Sequence, residues 1–97
     1  MFRHVVLFRL HADATVVQRQ NMLDALSALP DQINQVRDYR IGPDAGLADG
    51  NFDFAVTADF DNQADYEIYR DHPAHQHAVT ECVRPIAEQR VAVQYHC

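Results

Sequence analysis

The chain has 97 residues, 47% of them hydrophobic, and eight cationic side chains against 14 acidic ones give a formal net charge of −6 at pH 7 with histidine neutral. That length holds one domain, residues 1–97, with a single modest core. The scattered arginines offer no basic patch, which argues against nucleic acid, the absence of lysine removes Schiff-base chemistry of the lysine type, and no apolar run approaches the ~20 residues needed to span a bilayer.

In chain order, Phe2 to Leu10 alternates, with Phe2, His4, Val6, Phe8 and Leu10 on one face and Arg3, Val5, Leu7 and Arg9 on the other, the period of two that signals a strand. Asp13 or Thr15 can cap a following helix whose apolar residues are Val16, Met22, Leu23, Leu26 and Leu29, and Pro30 is expected to stop it. Ile33 to Ile41, with Val36, Tyr39 and Ile41, reads as a second strand. All three glycines fall in residues 42–51, around Pro43 and Asp44, which marks a loop.

Phe52, Phe54, Val56, Ala58 and Phe60 then alternate with Asp53, Ala55, Thr57, Asp59 and Asp61 as a third strand. Asn62 to Asp71 reads as a short helix. Pro73 pushes His72 out of helical geometry and can itself start a second helical piece running to about Arg84, before Pro85. Gln89 to His96 supplies the last strand, with Val91, Val93 and Tyr95 on one face.

The order βαββαβ predicts an α+β, ferredoxin-like antiparallel sheet with both helices on one face and strands one and three central and adjacent. If paired residues sum to 62, Arg3 faces Asp59 and Arg9 faces Asp53, while Phe8 meets Phe54 and Val6 meets Val56 beneath the helices. The other sheet face, with Val5, Leu7, Ala55, Thr57, Ala92 and the neighbours of Val93, is too apolar for open water. It predicts a homodimer through sheet faces.

Three of the six histidines lie between Tyr69 and Glu81, and histidine is the side chain whose ordinary pKa is nearest neutrality. On an α-helix from Pro73, His75 shares a stripe with Val79, Cys82 and Ile86 and points inward, while His77, about 200° around, faces solvent. Three converging histidine ligands are therefore geometrically poor, and no metal or cofactor is expected. His4 points into the same interior. Tyr69 is expected at the rim of that space, and an imidazole among apolar walls stays neutral and suits a general base. The alternative is that His4 and His75 are satisfied core residues of a non-catalytic structural or stress-response dimer. Cys82 and Cys97 form neither a disulfide framework nor a zinc set, and Met1-Phe2-Arg3-His4 has no signal-peptide layout, so a cytoplasmic protein is the expectation.

Phe2-Arg3-His4-Val5-Val6-Leu7-Phe8-Arg9, the strand Asp53 to Phe60, the pattern Tyr69-x-x-His72-Pro73-Ala74-His75 and the closing Val91-Ala92-Val93-Gln94-Tyr95 together resemble the stress-responsive A/B barrel (Dabb) domain family over nearly the whole chain. The resemblance implies a ferredoxin-like fold dimerised through its sheets into an α+β barrel. A plant member that makes olivetolic acid closes a linear tetraketide by an intramolecular aldol condensation with a tyrosine and a histidine. Carried over by that pattern, His75 is the implied base and Tyr69 the group that positions substrate or polarises a carbonyl oxygen, with His4 in the pocket wall. Phe8, Phe54 and Val79 complete the expected apolar lining of a site for a small, mostly apolar carbonyl compound. The first helix here is about one turn shorter than in that cyclase, so its substrate does not carry over.

Overall fold

The computed structural model describes all 97 residues. Strand β1 (Phe2–Leu10) leads to helix α1 (Val16–Ser27) and the single turn α2 (Leu29–Gln32). Strands β2 (Val36–Pro43) and β3 (Phe54–Phe60) follow, then α3 (Gln63–Asp71), α4 (Pro73–Ala78), a π-helical turn over Val79–Val83, and β4 (Ala87–His96). The four strands form one antiparallel sheet in the order β2-β3-β1-β4, the ferredoxin-like arrangement that the sequence predicts. No helix is long and apolar enough to cross a membrane.

Alternation in the two central strands sets the core. Phe2, Val6, Phe8 and Leu10 of β1 and Phe54, Val56, Ala58 and Phe60 of β3 are buried on the helix side, against Met22 and Leu26 of α1, Leu29 of α2, and Tyr69, Ala78 and Val83. The β1–β3 register runs from Phe2 opposite Phe60 to Phe8 opposite Phe54, the predicted pairing. On the outer face Arg3 makes a two-pronged ion pair with Asp59, Nε to Oδ1 at 2.7 Å and Nη2 to Oδ2 at 2.8 Å. This holds the Asp59 carboxyl below the usual carboxylate range.

The second expected pair does not form. The ladder between these strands ends at Phe8 and Phe54. Beyond it, Arg9 donates to the Gly50 carbonyl at 2.8 Å and lies 4.5 Å over the Phe52 ring, while Asp53 accepts from the Leu10 backbone N–H at 2.7 Å. The ladder end leaves Leu10 with a backbone donor to satisfy, and the Asp53 carboxylate serves that need.

Other local departures have similar causes. Thr15 rather than Asp13 caps α1, through a reciprocal pair with Gln18. Pro30 does not simply stop the helix. It sits in the first turn of α2, where its missing N–H costs nothing, and Ile33 is drawn into the core, so β2 begins at Val36 instead. Gly42 and Pro43 still pair with Ala55 and Phe54, and the loop is correspondingly shifted to residues 44–53. There the Asp44 carboxylate accepts from Gly46 N–H at 2.9 Å and Asn51 Nδ2 at 3.1 Å, with Gly46 and Gly50 at positive φ.

The outer face carries Val5, Leu7, Ala55, Val91, Val93 and Tyr95. Ala92, expected among them, pairs with Val6 and belongs to the helix side. Leu7 is 37% exposed, Val91 40%, Val93 55% and Tyr95 43%, a contiguous apolar surface across two neighbouring strands.

Phe60 is completely buried, with its ring 5.2 Å from that of Tyr69 and 5.6 Å from that of Tyr66. Phe60→Ala is expected to cost about 3–5 kcal/mol of stability, measured by chemical denaturation. A loss below about 1 kcal/mol would contradict this account of the core.

Candidate active site between sheet and helices

A partly open cavity of about 420 Å³ lies between the sheet and the α4–π segment. It gathers His4 and Phe8 from β1, Tyr39 from β2, Tyr69 from α3, His75 from α4 and Val79 from the π turn. Exposed Arg84, Glu88, Gln89 and Arg90 border its open side. Of the six site residues singled out in the sequence only Phe54 lies elsewhere, in a second depression beside Gly42–Ala45. No residue of 42–51 lines the main cavity.

His4 enters because of strand phase. Its ring is almost wholly buried, 5.0 Å from the ring of Tyr66 and 6.4 Å from that of Tyr69. Burial, reinforced by the nearby Arg90 charge, lowers its pKa to about 4. The Gln94 side-chain amide donates to His4 Nδ1 at 2.8 Å, so the neutral ring carries its proton on Nε2. Gln94 is the residue opposite His4 on β4.

His75 is placed by the break at His72. Extended backbone there (φ −63°, ψ 136°) lets His72 Nδ1 accept from the Ala74 N–H at 3.0 Å and cap α4. One turn on, His75 packs on Tyr69 with ring centroids 4.5 Å apart. Its Nδ1–H donates to the Arg70 carbonyl at 3.0 Å, leaving Nε2 as the nitrogen with a free lone pair. Burial lowers the His75 pKa, and Arg90 adds to this against the opposing pull of the Arg70 carbonyl. With His72 engaged in capping and His77 exposed, the three clustered histidines do not converge on one point.

Two expectations about this segment are corrected. The stripe His75, Val79, Cys82 and Ile86 assumed α-helical spacing to Arg84, but the π turn inserts an extra residue per turn at Val79–Val83. Val83 rather than Cys82 therefore turns inward, beside Ala78 and the expected Ile86, while Val79 and Cys82 are only half-buried. Tyr69 is not at a rim. It is 2% exposed and part of the core, packed between Phe60 and His75. Burial, then the neighbouring Tyr39, raises the pKa of its phenol, which stays protonated.

Tyr39, Gln94 and Arg90 were not singled out in the sequence. Tyr39 shares its strand phase with Ile41, a signal that β2 turns a phenol toward the helices, and burial pushes its pKa up to about 12. Gln94 and Arg90 could have been found from the β4 register, which sets them opposite His4 and Phe8. The chemistry on offer is a neutral imidazole acceptor at His75, neutral donors at His4 and Tyr69, and apolar walls.

Comparison with known proteins agrees with this architecture. The family model described as the Stress Responsive A/B Barrel Domain matches residues 2–97. A dimeric ferredoxin-like protein of unknown function from Thermobifida fusca is 42% identical, with a TM-score of 0.91 over 99% of this chain and 90% of that one. A Dabb family protein with a ferredoxin-like fold from Mesorhizobium loti is 28% identical, with a TM-score of 0.78 over 99% and 95%. The hydroxynitrile lyase of Passiflora edulis, at 20% identity and a TM-score of 0.85 over 97% and 90%, shares the fold. A search of curated proteins finds no match. With the family model spanning almost every residue and the sheet order as described, the chain belongs to the stress-responsive A/B barrel (Dabb) domain family.

Proposed function

We propose that this protein is a homodimeric enzyme whose cavity takes a small, mostly apolar carbonyl compound and moves a proton on it, in chemistry of the aldol or cyclase type. His75 Nε2 removes a proton from the carbon next to a carbonyl. The C–H electron pair moves onto the carbonyl oxygen, where Tyr69 and His4 Nε2–H donate hydrogen bonds to the developing charge. No metal or other cofactor enters this scheme.

The observation that carries the reading is the tautomer of His75 inside a cavity it shares with Tyr69 and His4. A histidine that merely satisfied its polar atoms would not be expected to leave one ring nitrogen without a partner in the wall of a cavity of about 420 Å³. A protein of the same fold, from Passiflora edulis, is described as a hydroxynitrile lyase, so the scaffold is compatible with catalysis. The dimer is supported by the exposed apolar sheet face and by the Thermobifida fusca relative, which is described as dimeric.

Proton exchange in deuterium oxide, followed by NMR on a panel of β-keto esters and aryl ketones, tests the chemistry directly. The protein should accelerate exchange at the acidic carbon of at least one compound, and His75→Gln should reduce that acceleration by about 10²-fold or more. No acceleration with any compound, or full activity in the variant, would refute the proposal. The rate requires neutral His75, whose pKa lies below its ordinary 6.5. Activity should rise with pH to a plateau, with its half-point at the lowered pKa and therefore below 6.5. A rate that halves at or above 6.5 would point to another base.

Analytical ultracentrifugation tests the assembly. A dimer is expected, and Val93→Glu, which sets a charge in the middle of the apolar face, should yield a folded monomer. A monomeric parent protein would contradict the assignment.

A further inference from the structure

The Tyr39 hydroxyl oxygen is fully enclosed, and no donor or acceptor meets it with hydrogen-bond geometry. It is the one buried side-chain polar atom in the molecule left in this condition, and it belongs to a residue lining the cavity. Buried hydroxyls are almost always paired, so an orphan in the wall of a cavity calls for a role.

Register fixes its surroundings. Tyr39 of β2 pairs with Ala58 of β3, Ala58 with His4 of β1, and His4 with Gln94 of β4, one row across the whole sheet. Tyr39 and His4 therefore stand on the same face two strands apart, about 10 Å between backbones, with the small, fully buried Ala58 between them. Tyr69 reaches down over this row from α3. The phenols of Tyr39 and Tyr69 adjoin, and each perturbs the ionisation of the other, yet their present geometry falls short of a hydrogen bond. Unlike the sealed Tyr39 oxygen, the Tyr69 hydroxyl keeps access to the cavity.

We propose that Tyr39 is a positioning residue for Tyr69: the Tyr39 O–H donates to Tyr69 Oη when the Tyr69 O–H donates to a ligand, so the cavity selects compounds that present an acceptor oxygen. This rests on the reading of the cavity as a ligand site. The direction of the relay follows from counting protons. Were Tyr69 to donate to Tyr39, the Tyr39 proton would stay unpaired in its sealed position and Tyr69 would have none to offer. In the opposite order Tyr39 is satisfied, Tyr69 accepts once, and the remaining proton is delivered into the cavity. Each phenol holds its proton at neutral pH, because burial keeps both pKa values above the ordinary 10, and a donor that itself accepts a hydrogen bond is strengthened.

Acetophenone and α-methylstyrene make a suitable pair of probes, since they share a shape and differ in carrying an acceptor oxygen or a methylene. NMR titration should show the parent protein binding acetophenone more tightly than α-methylstyrene. Tyr39→Phe should weaken acetophenone about three- to tenfold, the range of one hydrogen bond, and leave α-methylstyrene unchanged. The double variant Tyr39→Phe/Tyr69→Phe should bind acetophenone no more weakly than Tyr69→Phe alone, because Tyr39 acts only through Tyr69. The thermal midpoint of Tyr39→Phe should be equal to or above that of the parent, since only an unpaired oxygen is removed. Equal acetophenone affinity in Tyr39→Phe, additive losses in the double variant, or weaker binding of both probes with a lowered midpoint would each overturn the relay while leaving the cavity reading intact. A parent protein that binds neither probe overturns both.

Discussion

The central strand β1 is the constraint on which the molecule rests. It is paired on both sides, with β3 and with β4, and its inner face of Phe2, His4, Val6, Phe8 and Leu10 is buried throughout. A strand hydrogen-bonded along both edges cannot slip by one residue without turning every inner side chain outward. The price of that rigidity is an imidazole fixed in the apolar layer, since position 4 has the same phase as the phenylalanines around it. The shift of His4 to a pKa of about 4 follows from this placement.

The helical layer acts differently. It is broken at His72–Pro73 and widened at Val79–Val83, and both interruptions shape the cavity. The break turns the chain so that the Arg70 carbonyl, left free near the end of α3, meets His75 Nδ1 and also Gln76 Nε2 at 2.7 Å. One carbonyl thereby sets both the orientation and the tautomer of the imidazole. The π turn rotates Val83 inward and leaves Val79 beside the space. A continuous α-helix would direct Cys82 to the interior instead.

What the sequence made legible follows from how local each cause is. Alternation in β1 and β3, with arginine and aspartate at matching positions, fixed the strand order, the register and the Arg3–Asp59 pair. It also put His4 indoors. The Tyr69 to His75 segment was readable because proline has a local effect on the residue before it. By contrast, Arg9 lost its expected partner at a ladder end, where backbone satisfaction outweighs side-chain pairing. Pro30 serves equally as a stop and as a first helical residue, and only the burial of Leu29 and Ile33 decides between them. The π insertion has no sequence signal in the hydrophobic pattern, so Val83 takes the inward position that α-helical spacing assigns to Cys82, while Ile86 is buried as expected. Tyr39 reads from the sequence only as a strand residue, because its importance lies in a missing partner, and the absence of a partner is a property of the folded surroundings alone.

Two imidazoles that remain neutral in the wall of one cavity underlie the proposed chemistry, and an NMR titration of the histidine rings measures that property without any ligand. His4 should titrate near pH 4, and His75 should titrate below its ordinary 6.5. If His4 and His75 instead titrate at or above 6.5, both rings are solvated, and the desolvated neutral base on which the proposed chemistry depends does not exist.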